Sequence, residues 1–183
     1  MAQQKQRIAM FDTKPYDKEY FERANQEFRF DISWLEPRLN DKTVPLAQGH
    51  DAVCAFVNDT VNETVINALA ENNIRLVALR SAGYNNVDIK AAYKKVHVVR
   101  VPDYSPYGVA EHAVALMMAL NRKTHRAYYR TRDRNFAIGG LLGFTMHGKT
   151  AGVVGTGKIG RQVVSILRGF GMEVLAYDPY PND

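Results

Sequence analysis

Cysteine is nearly absent. The 183-residue chain carries one, Cys54. A single thiol excludes an internal disulfide framework and points to a reducing compartment, the cytoplasm by default. Cys54 lies in an apolar run from Asp51 to Val57, so a core position is the simpler reading than a nucleophile. Long hydrophobic stretches are missing too. No run approaches the ~18 apolar residues of a membrane span, and the opening stretch Met1 to Gln6 is polar, unlike a signal peptide. Internal repeats and low-complexity tracts are lacking, and no metal-ligating set is assigned.

What remains is ordinary for a globular protein: 46% apolar residues, 23% charged residues and a net charge of +5. The charge has a local origin. Six basic residues and one aspartate fall between Arg122 and Arg134, and the rest of the chain balances. A basic patch suggests nucleic acid, but this segment carries no binding motif and continues an apolar helix pattern. A solvated helix face or a subunit contact is the better reading, and no nucleic-acid partner is expected.

Strand-like runs alternate with helical ones. Arg7 to Asp12, Phe30 to Trp34, Asp51 to Val57, Arg75 to Arg80 and Val96 to Val101 read as strands. Asp17 to Phe28, Asn62 to Asn72 and Val87 to Tyr93 read as helices, and Leu39 to Gly49 as an irregular loop. Such alternation predicts a parallel sheet covered on both faces. From Ser105 and Pro106, a helix cap and a first helical position, Val109, Ala113, Leu116, Met117 and Leu120 spell a helix apolar over much of its surface. It is expected to be a buried connector between two domains, with Tyr104 facing the cleft between them. Glu111 and His112 are adjacent, so they do not face each other, and both are expected to be structural.

The stretch Lys149 to Tyr180 carries the strongest signal. A strand (Thr150 to Val154) meets Gly155, Thr156, Gly157, Lys158, Ile159 and Gly160. An amphipathic helix follows and stops near Gly171, and a second strand ends on Asp178. Each position has a job in dinucleotide binding. Gly155 allows the tight turn, Gly157 lets backbone approach a pyrophosphate, and Gly160 lets helix lie on strand. Asp178 stands eighteen residues past Gly160, where a carboxylate accepts both ribose hydroxyls and repels a 2′-phosphate. NAD is therefore expected over NADP. A second turn, Arg80 to Asp88, follows a strand at its carboxyl end. Gly83 there allows either a nest of N–H groups for a carboxylate or a plain Gly/Asn turn.

Four blocks, Ala55 to Asp59, Leu79 to Asp88, Val101 to Leu120 and Gly143 to Gly160, together resemble the D-isomer-specific 2-hydroxyacid dehydrogenases, in particular their bacterial D-lactate branch. The resemblance implies an α/β protein: a flavodoxin-like parallel-sheet substrate domain (1–103), then a connector, pairing arm and truncated Rossmann dinucleotide-binding domain (104–183). It implies reduction of a small 2-oxo acid, pyruvate, to D-lactate with NADH. Ser81, Ala82 and Gly83 would give backbone donors to the substrate carboxylate, and Tyr104 and Phe56 would line the pocket. Val109 would approach the nicotinamide, Lys158 and Ile159 the pyrophosphate, and Asp178 the ribose. The region from Arg122 to His147 would pair subunits in a homo-oligomer. The family's catalytic arginine, acid and histidine follow the second cofactor-domain strand, and none has a match here. No catalytic residues are therefore assigned, and the chain by itself is expected to be an inactive front portion. A different D-2-hydroxy acid, or a non-catalytic nucleotide-binding or subunit-interaction module, are the competing readings.

Overall fold

The computed structural model describes residues 5–180, so the first four residues of the polar opening stretch lie outside them. The chain forms two compact units, Met1–Tyr104 and Ser105–Asp183.

In the first unit, short apolar runs form five four-residue strands: β1 (Arg7–Met10), β2 (Asp31–Trp34), β3 (Ala52–Ala55), β4 (Leu76–Leu79) and β5 (His97–Arg100). All pair in parallel, in the order β2-β1-β3-β4-β5. Parallel neighbours need crossovers, supplied here by α1 (Pro15–Phe28), α2 (Glu63–Glu71) and α3 (Ile89–Ala92). The order is the flavodoxin-like one, as the alternating pattern predicts.

Residues along a strand alternate faces, which splits the unit into two layers. Ala9, Phe11, Val53, Ala55, Val77 and Leu79 are buried with Val65, Ile66 and Leu69 of α2 in the main core. On the other face Ile8, Met10, Ala52, Cys54, Leu76 and Ala78 meet Phe21, Ala24 and Phe28 of α1 around an apolar cavity of about 260 Å³. Cys54 is buried there, and burial pushes its thiol above the ordinary value against the opposing pull of Arg80. That suits a core residue rather than a nucleophile.

Local chemistry sets the ends of the elements. Pro15 takes the first position of α1, two residues before the start read from sequence, and the Lys14 N–H donates to the Asp17 carboxylate at 2.9 Å. Asn62 caps α2 by accepting from the Val65 N–H at 3.0 Å. The segment from Leu39 to Gly49 is less irregular than its composition suggests. It holds a 3-10 turn, Val44–Ala47, and buries Leu39 and Ala47 completely.

The second unit holds α4 (Pro106–Arg122), α5 (Thr124–Arg132), β6 (Thr150–Val154), α6 (Lys158–Gly169) and β7 (Glu173–Tyr177). β6 and β7 pair in parallel across the α6 crossover, and α6 packs against α4. Between α5 and β6 the chain is pinned back by the Asn121 side chain. Its amide accepts from the Phe144 N–H and donates to the Phe144 carbonyl, both at 2.9 Å.

Two expectations fail for α4. Ser105 stands at its N-cap with Pro106 next, but the hydroxyl makes no capping bond. The helix is not buried either: only Ala110 and Val114 are, while Leu116 and Leu120 are 53% and 70% exposed. Within its unit the helix packs chiefly against α6, and Leu116 and Leu120 are left exposed.

Candidate functional site

The glycine loop joins β6 to α6. Gly155 lies at φ 93°, a backbone setting that side chains disfavour, and its N–H donates to the Tyr177 carbonyl at 2.7 Å. At Gly160 a Cβ would collide with the Gly155 carbonyl, so this turn of helix packs on the strand only without a side chain. Gly157 forms the N-cap of α6 with no side-chain cap, and nothing lies within 4 Å of where its Cβ would stand. The first turn of a twelve-residue helix without a side-chain cap stands at this loop, a setting that suits an anion. Lys158 and Ile159 follow, both exposed.

Asp178, just past β7, reaches back to this loop. Its Oδ2 accepts from the Thr156 N–H at 2.6 Å and the Thr156 hydroxyl at 3.0 Å, and its Oδ1 accepts from the Tyr180 N–H at 2.9 Å. The Thr156 N–H, then the Tyr180 N–H and the Thr156 hydroxyl, hold this carboxyl below its ordinary value of 3.8. A carboxylate has about four acceptor positions, and three are engaged here. Accepting both hydroxyls of a ribose therefore requires a present donor to swing away. Sequence spacing placed Asp178 at the loop but gave no sign of this prior engagement. Val109 sits on the first turn of α4, 40% exposed, on the helix that packs against α6.

In the first unit the expected substrate residues stand at the carboxyl ends of β3, β4 and β5. Phe56 follows β3 and is half-buried, Ser81, Ala82 and Gly83 follow β4, and Tyr104 follows β5 and is 56% exposed. Asn86 joins the turns after β3 and β4, and Asp59 ties the turn after β3 to the segment at Leu39. Asn86 donates to the Phe56 carbonyl at 2.9 Å and the Asp59 carbonyl at 3.0 Å. Asp59, 1% exposed, accepts from the Phe56 N–H at 2.6 Å and the Leu39 N–H at 2.7 Å. Burial pushes the Asp59 carboxyl up, with those two N–H groups opposing.

Arg80 ties the same edge from below. Its side chain is only 7% exposed and lies 3.6 Å from the Asp17 carboxylate. It donates to the Phe11 carbonyl at 2.9 Å and the Asp12 carbonyl at 3.2 Å, and its guanidinium sits 5.0 Å from the Phe56 ring centre. These commitments suit a structural cation, not a substrate-binding one. Asp59, Arg80 and Asn86 went unassigned in the sequence, although a charged residue directly at the end of an apolar strand run, as Arg80 is, can signal a buried partner. Gly83 does not adopt the left-handed conformation expected of a nest, and a Cβ there would meet nothing within 4 Å. His112 and Glu111 are both exposed on α4. Among the described residues no group of three or more His, Cys, Asp or Glu side chains is placed to hold a metal ion.

A flavodoxin-order parallel sheet, followed by a strand, glycine loop, helix and strand closed by an acid, is a two-part α/β frame. The profile of the D-isomer specific 2-hydroxyacid dehydrogenase catalytic domain matches residues 8–168, and the chain belongs to that family. It is 53% identical over 177 residues to a 2-hydroxyacid dehydrogenase homolog of Haemophilus influenzae. It is 52% identical over 177 residues to D-lactate dehydrogenase of Escherichia coli. Each match covers 96% of this chain and 54% of the relative, so the chain spans about half the length of these curated relatives. The apo structure of the E. coli D-lactate dehydrogenase matches with a TM-score of 0.91 at 52% identity, over 96% of this chain and 56% of that one. An NAD-complexed D-isomer specific 2-hydroxyacid dehydrogenase of Lactobacillus delbrueckii matches at 30% identity with a TM-score of 0.73, over 96% of this chain and 54% of that one.

Arg80→Met leaves the Asp17 carboxylate without its cation and two carbonyls without the guanidinium donors, and breaking such a buried pair costs about 3–5 kcal/mol. Urea unfolding followed by the fluorescence of Trp34, the single tryptophan, is expected to show a loss of that size; a loss below about 1 kcal/mol contradicts the tie. Asp178 gives a pH signature. Its folded-state value lies below the unfolded one, so its contribution is present above the unfolded value and lost as pH falls through the folded one. The Thr156 amide resonance is expected to titrate with a midpoint below 3.8, and a midpoint at or above 3.8 rules out these bonds.

Proposed function

We propose that this chain carries the substrate-carboxylate turn and the first part of the nucleotide site of an NAD-dependent D-lactate dehydrogenase, which converts pyruvate, NADH and a proton into D-lactate and NAD. Residues 1–103 form the substrate domain, and 104–183 open the nucleotide domain. The observation that carries the reading is the glycine loop closed by Asp178, within a chain that belongs to the 2-hydroxyacid dehydrogenase family. The D-lactate assignment is supported by the identity to the E. coli enzyme.

The residues present fit the nucleotide. The Gly157 N-cap and the open α6 terminus take the pyrophosphate beside Lys158 and Ile159. Asp178 takes a ribose hydroxyl, and Val109 lines the nicotinamide side. When bound, the reduced nicotinamide supplies the hydride. Ser81, Ala82 and Gly83 hold the carboxylate of the 2-oxo acid through main-chain donors, and Phe56 and Tyr104 border it. The apolar Phe56 ring limits water at that edge.

Two further points belong to this reading. The segment between α5 and β6 exposes Phe136, Ile138 and Leu142 at 76%, 81% and 84%, which favours pairing with a second copy of the chain. The one cysteine, buried and free, suits the cytoplasm.

In the full-length protein NADH is expected to be preferred over NADPH, and Asp178→Ala is expected to narrow the ratio of kcat/KM for the two by about tenfold or more. An unchanged ratio contradicts the role given to Asp178. Size-exclusion chromatography with light scattering tests the pairing. A dimer is expected, and replacing Phe136, Ile138 and Leu142 with serine is expected to yield monomers; a monomer before substitution removes the proposal.

A further inference from the structure

The turn after β4 shows how its main-chain donors are aimed, and the residue that aims them lies on a different strand. Three successive carbonyls of the turn each accept a bond from this unit. The Ser81 carbonyl accepts from the Val101 N–H at 3.1 Å. The Ala82 carbonyl accepts from Nη1 of Arg100 at 2.9 Å, and the Gly83 carbonyl accepts from the Ser81 hydroxyl at 2.8 Å. Across a planar trans peptide, the C=O of one residue and the N–H of the next point in opposite directions. Holding the Ser81 and Ala82 carbonyls toward β5 therefore turns the Ala82 and Gly83 N–H groups away from it. Neither N–H donates to an acceptor among the described residues. Beside them, the space where a Gly83 side chain would stand is empty to 4 Å.

Arg100 is the last residue of β5. Its Nη1 also lies 3.5 Å from the Val101 and Pro102 carbonyls, and its guanidinium sits 5.6 Å from the ring centre of Tyr84, the residue that ends the turn. It thus joins the turn to the segment leading toward Tyr104. A guanidinium suits this work because its planar fork reaches several carbonyls at once and stacks on an aromatic ring, which an ammonium does less well. It also brings a permanent positive charge beside two outward N–H groups, a setting that favours an anion.

We propose that Arg100 is a positioning and specificity residue for the carboxylate of the 2-oxo acid: it fixes the Ala82–Gly83 peptide so that adjacent N–H groups face the substrate, and its charge selects an anionic one. This rests on the reading of the turn as the carboxylate site. Of the two readings of Gly83, a nest or a plain Gly/Asn turn, it keeps the plain turn, with its peptides held from behind. Arg100 is itself exposed and not part of the main core, and it pairs with Leu79 through its backbone, so replacing its side chain is expected to leave the sheet intact.

The test is a titration of the isotope-labelled chain with oxamate, an unreactive 2-oxo acid mimic, followed by amide resonances. The native protein is expected to show saturable shifts centred on Ala82 and Gly83. Arg100→Gln is expected to weaken oxamate binding about tenfold or more, as loss of a charge-assisted donor does. Arg100→Lys, which keeps charge but loses the fork, is expected to fall between the two. In both variants the amides of β3 and β4 are expected to keep their positions. Native-like affinity in either variant overturns the role of Arg100 while leaving the carboxylate site in place. No saturable shift at Ala82 and Gly83 in the native chain overturns the carboxylate site itself, and this proposal with it.

Discussion

The buried guanidinium of Arg80 is the interaction on which the working edge of the first unit depends. A parallel sheet presents its loops at the carboxyl ends of its strands, and loops there have no ladder of their own to order them. Arg80 supplies the order. It grips the turn after β1 through the Phe11 and Asp12 carbonyls, reaches α1 through Asp17, and supports the Phe56 ring after β3. A cation taken out of water needs such compensation, and the compensation is what brings separate turns into register. Asn86 then locks the turns after β3 and β4 together, and Asp59 ties the turn after β3 to the segment that opens at Leu39. The result is one rigid rim on which Phe56 and Ser81 to Gly83 stand.

The second unit uses a different constraint, close approach of backbone to backbone. Gly160 against the Gly155 carbonyl lets α6 begin directly over β6, so its first turn faces the loop. Asp178 closes that loop through Thr156 before any ligand arrives. Preorganisation of this kind lowers the ordering cost of binding. It also means that any hydroxyl brought to the same carboxylate oxygen competes with the Thr156 hydroxyl already there.

Much of this was legible in residue patterns because the patterns are local. Apolar runs bounded by turn residues marked β1 to β5, and the glycines with Asp178 marked the loop between β6 and α6, since each position there demands one residue type. Cys54 in an apolar strand was readable as core for the same reason. What escaped depends on contacts distant in sequence. Arg80 meets Phe11 across sixty-nine positions, and Arg100 meets Ala82 across eighteen, so neither is marked by local spacing. Gly83 invited a left-handed conformation that the structure does not use, because carbonyls held from β5 aim the donors without it. The burial of α4 was overestimated because an apolar stripe reports the need for cover, not its source. Leu120 remains outward.

The central claim is that the loop closed by Asp178 is a dinucleotide site. A crystal structure of the chain grown with NADH tests it most directly. The account requires the pyrophosphate over Gly155 to Gly160 and a ribose hydroxyl on Asp178, with the Thr156 hydroxyl displaced from that carboxylate. Nucleotide bound elsewhere, or no nucleotide at saturating concentration, would contradict it.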